Sequence, residues 1–356
     1  MIGEKMAKQI IFADGNDFLR RDGLAVEPTA WEDGLRTDAG PGTFEWWYFD
    51  AWLDDGSTAV IVYATKPLRQ RNDPLTPMIT LTITRPDGSK LGATPLFYPA
   101  DQFKAAPDRC QVNIGPNWVQ GDLRHYELHA EGKELAADLT FTGQAPSWRP
   151  GAGKTYFDEA LSHYFAWLVP IPYGQVEGTL TYDGKTHSVK GTGYHDHNWG
   201  NLGLERVISH WYWGRAHVGD FTVIFVEIKT GRSHGGQKIP IFMLAEKGRV
   251  LVDKGQSLTL KTADFQDHPS GKRYPRSLDF HWQANTGTVH VKLRQPRLID
   301  TFSLLESMPL WKQRLVRLVA NPHYFRFNAE MELDVKLAET QVVERGSALY
   351  EFMLLN

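Results

Sequence analysis

The sequence predicts an all-β protein with more strands than one small sandwich holds. Three observations carry this. Short runs of alternating or β-branched and aromatic residues recur along the 356 positions; Gly, Pro, Asp and Asn separate them; and helical periodicity is almost absent. Taken in order, residues 44–53 (FEWWYFDAWL) and 58–64 (TAVIVYA) flank the turn Asp54-Asp55-Gly56 and predict a hairpin, and 78–84 (MITLTIT) runs into Pro86-Asp87-Gly88. Strands follow at 137–142, at 176–182 with an Asp183-Gly184 turn, and at 186–196, 210–216, 221–229, 240–245 and 250–253. The rhythm ends with 278–282, 288–293, 325–337 and 348–354.

One stretch departs from this rhythm. In 309–319 (PLWKQRLVRLV) apolar residues recur at helical spacing opposite Lys312, Arg314 and Arg317, which predicts a single amphipathic helix that plugs or flanks a barrel. The Gly- and Pro-rich segment 143–154 reads as the clearest loop. A second long loop, 66–77 with three prolines, is expected near the entrance of a cavity.

Composition narrows the function. Lys and Arg total 39 against 42 Asp and Glu, a net charge of −3, so nucleic acid and anionic membranes are not expected partners. No apolar run approaches the roughly 18–20 residues that a membrane helix needs. The first residues (MIGEKMAKQII) lack the apolar core and cleavage site of a secretory signal. A single cysteine, Cys110, excludes an intramolecular disulfide and any Cys-based zinc cluster, so a reducing, cytoplasmic location is expected. Aromatic residues make up 12% of the chain and fall in clusters, which favours an apolar or planar small molecule as ligand.

Several familiar motifs fail on inspection. Gly151-Ala152-Gly153-Lys154-Thr155 resembles the end of a P-loop, but Trp148 stands where the motif needs its first Gly. Gly231-Arg232-Ser233-His234-Gly235 matches G-x-S-x-G by letter, yet a strand rather than a helix is expected after it. Neither H-E-x-x-H nor a strand-to-helix G-x-G-x-x-G occurs, which removes support for zincin, nicotinamide and flavin chemistry.

The densest functional segment is 191–201, GTGYHDHNWGN. As a strand it places Tyr194, Asp196 and Asn198 on one face and His195, His197 and Trp199 on the other. A carboxylate inside an aromatic cavity loses hydration and can serve as a general acid near neutral pH, which makes Asp196 the first candidate, with Tyr194 to orient it. The alternative is a structural corner in which Asp196 and Asn198 bond the backbone. His195 and His197 also share a strand face as metal ligands do, with only scattered third ligands such as His163 and His210. Three further segments read as cavity walls: Glu45, Trp47 and Phe49, alternating with Trp46, Tyr48 and Asp50; His210, Trp211, Tyr212 and Trp213, ahead of Arg215; and the patch from His163 to Trp167.

At these residues the chain resembles the family of carotenoid 1,2-hydratase (hydroxyneurosporene synthase), kievitone hydratase, the AttH-like proteins and fungal decalin-forming Diels-Alderases. The anchors are EWWYF from Glu45, GTGYHDHNWG from Gly191 and HWYWGR from His210, with weaker support from HYFRFNAEMEL at His323. The resemblance implies two lipocalin-like (calycin) antiparallel β domains packed together, here divided at 190/191, with a hydrophobic ligand cavity and no required cofactor. It also implies acid–base roles for Tyr194 and Asp196, and by looser spacing for His163 with Trp167. The expected activity is a cofactor-independent cyclase or hydratase acting on C=C bonds of a lipophilic polyene or isoprenoid in specialised metabolism. A non-catalytic lipocalin-like carrier is the competing expectation.

Overall fold

The computed structural model of the protein describes residues 9–92, 94–303 and 322–355. The amphipathic helix expected at 309–319 lies outside the described residues. The chain divides into two compact units, Ile11–Gly203 and a second from Leu204 onward. The sequence-based boundary at 190/191 falls inside a continuous strand, so the first unit keeps the whole GTGYHDHNWG segment. Among the described residues no helix is long and apolar enough to cross a membrane.

The principal strands of the first unit are β1 (Phe44–Leu53), β2 (Thr58–Ala64), β3 (Met78–Thr84), β4 (Cys110–Ile114), β5 (Asn117–Gly121), β6 (His125–Gly132), β7 (Leu135–Gly143), β8 (Tyr164–Tyr182) and β9 (Lys185–Gly200). They form one antiparallel sheet in the order β3-β2-β1-β9-β8-β7-β6-β5-β4. The sheet curls until β3 contacts β6 and β7, which encloses one apolar face. Alternation explains which face that is: in β3, Ile79, Leu81 and Ile83 are buried while the threonines between them are half-buried. Trp47, Phe49, Ile61, Tyr63, Tyr126 and Phe141 are fully buried in this core. Each such ring or aliphatic side chain contributes on the order of 1.5–3 kcal/mol by leaving water.

The turns are those the residues demand. Asp183 and Gly184 both take positive φ, 52° and 69°, so the β8–β9 hairpin closes in two residues. Strand β8 runs through Pro170 and Pro172, which the sequence placed beyond an aromatic patch rather than inside a strand. Register shifts between Leu168 and Ile171 and between Ile171 and Gly174 take the two imino acids out of the ladder.

The second unit contains β10 (Ile208–Val218), β11 (Phe221–Thr230), β12 (Lys238–Glu246), β13 (Arg249–Val252), β14 (Leu258–Asp267), β15 (Arg273–Ala284), β16 (Gly287–Ser303), β17 (His323–Leu337) and β18 (Thr340–Leu354). These are antiparallel in the order β13-β12-β11-β10-β18-β17-β16-β15-β14, and β12 returns to contact β14. The core holds Tyr212, Phe225, Phe242, Phe280, Phe327 and Tyr350 among its rings. Both units are therefore curled antiparallel β structures of lipocalin-like type.

Candidate active site

The pairing of β1 with β9 builds the site. Trp46 faces Asn198, Tyr48 faces Asp196 and Asp50 faces Tyr194; on the other side of the same two strands Glu45 faces Trp199, Trp47 faces His197 and Phe49 faces His195. Opposite residues share a face. The first set and the second set therefore occupy different sides of the sheet.

On the first side, Asp196 is the centre. Its Oδ2 accepts hydrogen bonds from the Tyr194 hydroxyl at 2.9 Å and the Trp167 indole N–H at 3.0 Å, and its Oδ1 accepts one from the Asn198 amide at 2.8 Å. Trp167 reaches it from the neighbouring strand β8, where it pairs with Asn198, and its ring meets Trp148 edge-on at 5.7 Å. Asp196 is half-buried whereas Tyr194 is fully enclosed. Directly opposite lies a second dyad of the same kind: the Tyr48 hydroxyl donates to Asp50 Oδ2 at 3.0 Å, and the Tyr48 and Tyr194 rings meet edge-on at 6.3 Å. Gly193, between the two, faces the core side, where a Cβ would lie 2.5 Å from the Phe141 ring and 2.6 Å from the Asp50 carbonyl oxygen.

The other side carries a buried charge network. Asp33, at the end of the short 3-10 turn Ala30–Asp33, enters the core and meets Tyr126 Oη at 2.5 Å, His195 Nε2 at 3.2 Å and His197 Nδ1 at 3.2 Å. His197 Nε2 bonds Glu45 Oε1 at 2.9 Å, and Glu45 also accepts from the backbone N–H groups of Arg36 and Thr37. A capping box between Thr29 and Glu32 and an ion pair from Glu32 to Arg149 at 3.1 Å hold that turn in place. The His195 Nδ1 lies 2.9 Å from the Tyr48 carbonyl, which only accepts, so Nδ1 carries its hydrogen. Burial alone would push the Asp33 carboxyl up, but His195 and His197 outweigh it and hold Asp33 below the usual carboxylate range. Burial pushes the His197 imidazole down, and Asp33 and Glu45 outweigh that and raise it. The Tyr126 hydroxyl and the Cys110 thiol are both pushed up, by burial first and by the Asp33 charge second.

These placements sort the sequence-based candidates. Tyr194, Asp196 and Trp167 come together in one hydrogen-bonded group. His163 does not join them: its exposed imidazole pairs with Asp158 at 2.6 Å and contacts Ser162 at 3.0 Å. Glu45, Trp47 and Phe49, expected to line a ligand cavity, point to the opposite side from Asp196 and are sealed in the core, where Trp47 stacks on His197 and Phe49 on His195. The 210–213 segment belongs to the second unit and is split between its two faces. Tyr212 stacks on Phe352 at 4.5 Å with His210 edge-on to both, whereas Trp211 and Trp213 point the other way and are half-buried. Burial pushes His210 down to about 4, with Lys229 and Lys238 adding to the effect.

Of the two histidines weighed from sequence as metal ligands, His195 alone falls in a cluster of potential ligands among the described residues, and without His197. Asp33, Cys110 and His195 present ligand atoms within 4.8 Å of one another. Tyr126 already donates to Asp33 and the His195 ring is stacked on Phe49 at 3.8 Å, so the donor set is used as a packed hydrogen-bond cluster. Sequence reading missed Asp33, Tyr126 and the Tyr48–Asp50 dyad. For the last a signal existed, since Tyr48-Phe49-Asp50 repeats the Tyr-x-Asp spacing of Tyr194-His195-Asp196.

Comparison with known proteins agrees with this architecture. The AttH-like family profile matches residues 37–311. Among curated relatives, the quinolone epoxide rearrangement protein penF of Penicillium thymicola is 24% identical over 58% of this chain and 61% of its own. The acyclic carotenoid 1,2-hydratase of Thiocapsa roseopersicina is 26% identical over 78% of this chain and 65% of its own. The chain thus spans less than two thirds of the length of either relative. The crystal structure of CghA with Sch210972 superposes with a TM-score of 0.62 at 13% identity, covering 88% of this chain and 89% of that one, a likeness of fold. With the family's profile spanning most of the sequence, and both curled sheets present, the chain belongs to the AttH-like family.

Proposed function

We propose that this protein is a cofactor-independent enzyme of specialised metabolism that cyclises, rearranges or hydrates a lipophilic substrate at its C=C bonds. The observation that carries the reading is Asp196: a half-buried carboxylate on a sheet face lined by Tyr48, Tyr194 and Trp167, held by three donated hydrogen bonds. The donors of Tyr194, Trp167 and Asn198 fix the orientation of that carboxyl group on the face. A substrate folding against these rings loses conformational freedom before reaction. Positive charge that develops on a protonated or closing polyene faces indole and phenol π-systems with a carboxylate alongside. The relatives named for an epoxide rearrangement and a carotenoid hydration support chemistry of this kind.

The test is mass spectrometry of the protein and of Asp196→Asn after incubation with linear polyenes and prenylated compounds in heavy-oxygen water with EDTA. A shifted retention time at unchanged mass identifies cyclisation or isomerisation; one labelled water identifies hydration. Asp196→Asn is expected to lower turnover by about 10²–10⁴-fold, the range of one acid–base group. Compounds that bind the protein and are never converted would make it a carrier.

A further inference from the structure

The outer face of the second unit carries a row of ligand-type side chains across three neighbouring strands. His281 on β15 stands directly opposite His290 on β16, and His290 directly opposite Asp334 on β17. Their chain neighbours Phe280, Trp282, Val289, Val291, Leu333 and Val335 are buried in the core, so period two turns all three to the outside, where they are half-buried. The two imidazoles lie with ring centroids 3.9 Å apart, at 46° to one another.

Two polar atoms of this row are enclosed without a hydrogen-bond partner among the described residues: His281 Nε2 and Asp334 Oδ1. Buried polar atoms rarely stay unsatisfied, and two that flank one central imidazole point to a ligand held between them. The cations nearby are already paired: Lys336 donates to Asp334 Oδ2 at 2.8 Å and Lys292 to Glu332 at 2.8 Å. Burial and the His281 ring push His290 down; Asp334 opposes them, and Lys292 and Lys336 add to the fall. The His290 ring is therefore neutral at pH 7, with one nitrogen to donate a hydrogen and the other to give a lone pair.

We propose that His281 and His290 bind one divalent transition-metal ion, zinc or copper, between their rings, with Asp334 as the positioning residue that accepts the second N–H of His290. Imidazole nitrogen suits these two metals, and a carboxylate behind a ligating histidine fixes its tautomer and raises its basicity. Asp334, His290, the ion and His281 then follow one another in strand order. The ion fastens β15 to β16, and this role does not depend on any chemistry at Asp196.

The test takes the full chain, stripped with EDTA and exchanged into buffer, and titrates it with Zn2+ alone by calorimetry and with Cu2+ alone by electron paramagnetic resonance. The wild type is expected to bind one equivalent here, with the Cu2+ signal coupled to two imidazole nitrogens. His281→Gln and His290→Gln should each weaken Zn2+ binding by at least about tenfold, and Asp334→Ala by about tenfold, with Asp334→Asn, whose oxygen still accepts, recovering part of that loss. Zn2+ should raise the melting temperature of the wild type and leave that of the double glutamine variant unchanged. Zn2+ binding weaker than about 1 mM in the wild type, or binding undiminished in the double variant, overturns the site. A Zn2+ affinity that Asp334→Ala leaves unchanged overturns the positioning role of Asp334, which a merely structural carboxylate would show only in the metal-free melting temperature.

Discussion

Removing the Asp33 side chain tests whether the buried network holds strand β9. Asp33 is wholly enclosed and touches Tyr126, His195 and His197 at 2.5, 3.2 and 3.2 Å. Asp33→Ala strands a buried phenol and two buried imidazoles without their common acceptor, and breaking a buried ion pair in this way costs about 3–5 kcal/mol. For a unit of this size each kcal/mol moves the melting temperature by about 2–4 °C, so a fall of about 6–20 °C is expected. Asp33→Asn should recover part of the loss. Tyr126 and His195 both meet Asp33 Oδ2, so an amide oxygen at that place still accepts from the phenol and the recovery is only partial. Urea and thermal unfolding followed by tryptophan fluorescence read both variants. An Asp33→Ala protein within about 1 kcal/mol of wild type, or an Asp33→Asn protein as damaged as Asp33→Ala, would refute the idea that a charged hub pins this strand.

Other expectations follow from the same geometry. Because the folded-state value of His197 is raised above the ordinary ~6.5, its contribution is complete below that pH and fades as pH rises through the folded value. Asp33 is held below the ordinary ~3.9, so its contribution is complete above about pH 4 and is lost only as pH falls toward the folded value. From these two groups alone the contribution is greatest between about 4 and 6.5 and declines on the alkaline side, while His210, pushed down to about 4, withdraws stability as pH falls below about 6.5. His197→Gln should flatten the alkaline limb in part, the remainder including His129, raised by Asp138 and Glu131 once their pull outweighs burial. Trp167→Phe, which substitutes a smaller aromatic ring and removes one donor to Asp196, should lower turnover about three- to tenfold, checked by kinetics on a converted substrate. Gly193→Ala should cost at least about 1–3 kcal/mol in urea unfolding, since its methyl group meets Phe141, Val176 and the Asp50 carbonyl at 2.5–2.6 Å.

Much of this was legible in the sequence because strand alternation is a local property. The opposition of Tyr194, Asp196 and Asn198 to His195, His197 and Trp199 follows from period two alone, and the Asp183-Gly184 turn follows from two residues that tolerate positive φ. Which face of Phe44–Leu53 is core was not legible, because both carry aromatic rings and both carry an acid. The choice is made by residues outside the strand: Asp33 and the backbone at Arg36 and Thr37 satisfy Glu45 and the histidines on one side, so that side can be buried. The Tyr48–Asp50 dyad was likewise present as a spacing, but its relation to Asp196 depends on a register between residues nearly 150 positions apart, which no local pattern specifies. The extension of the strand through Pro170 and Pro172 needed two bulges that sequence alone does not announce.

The β1–β9 register also has an evolutionary consequence. Along these two strands the even-numbered positions 46, 48, 50, 194, 196 and 198 make the face that would meet a ligand, and the odd-numbered positions 45, 47, 49, 195, 197 and 199 make the pinned core. Inheritance can therefore treat the two sets as separate alphabets. Substitutions at the half-buried positions 46, 48 and 196 alter that face at less expense to folding than substitutions at Asp50, Tyr194 and Asn198, which are buried like the odd positions. A laboratory library on these two strands is best confined to positions 46, 48 and 196.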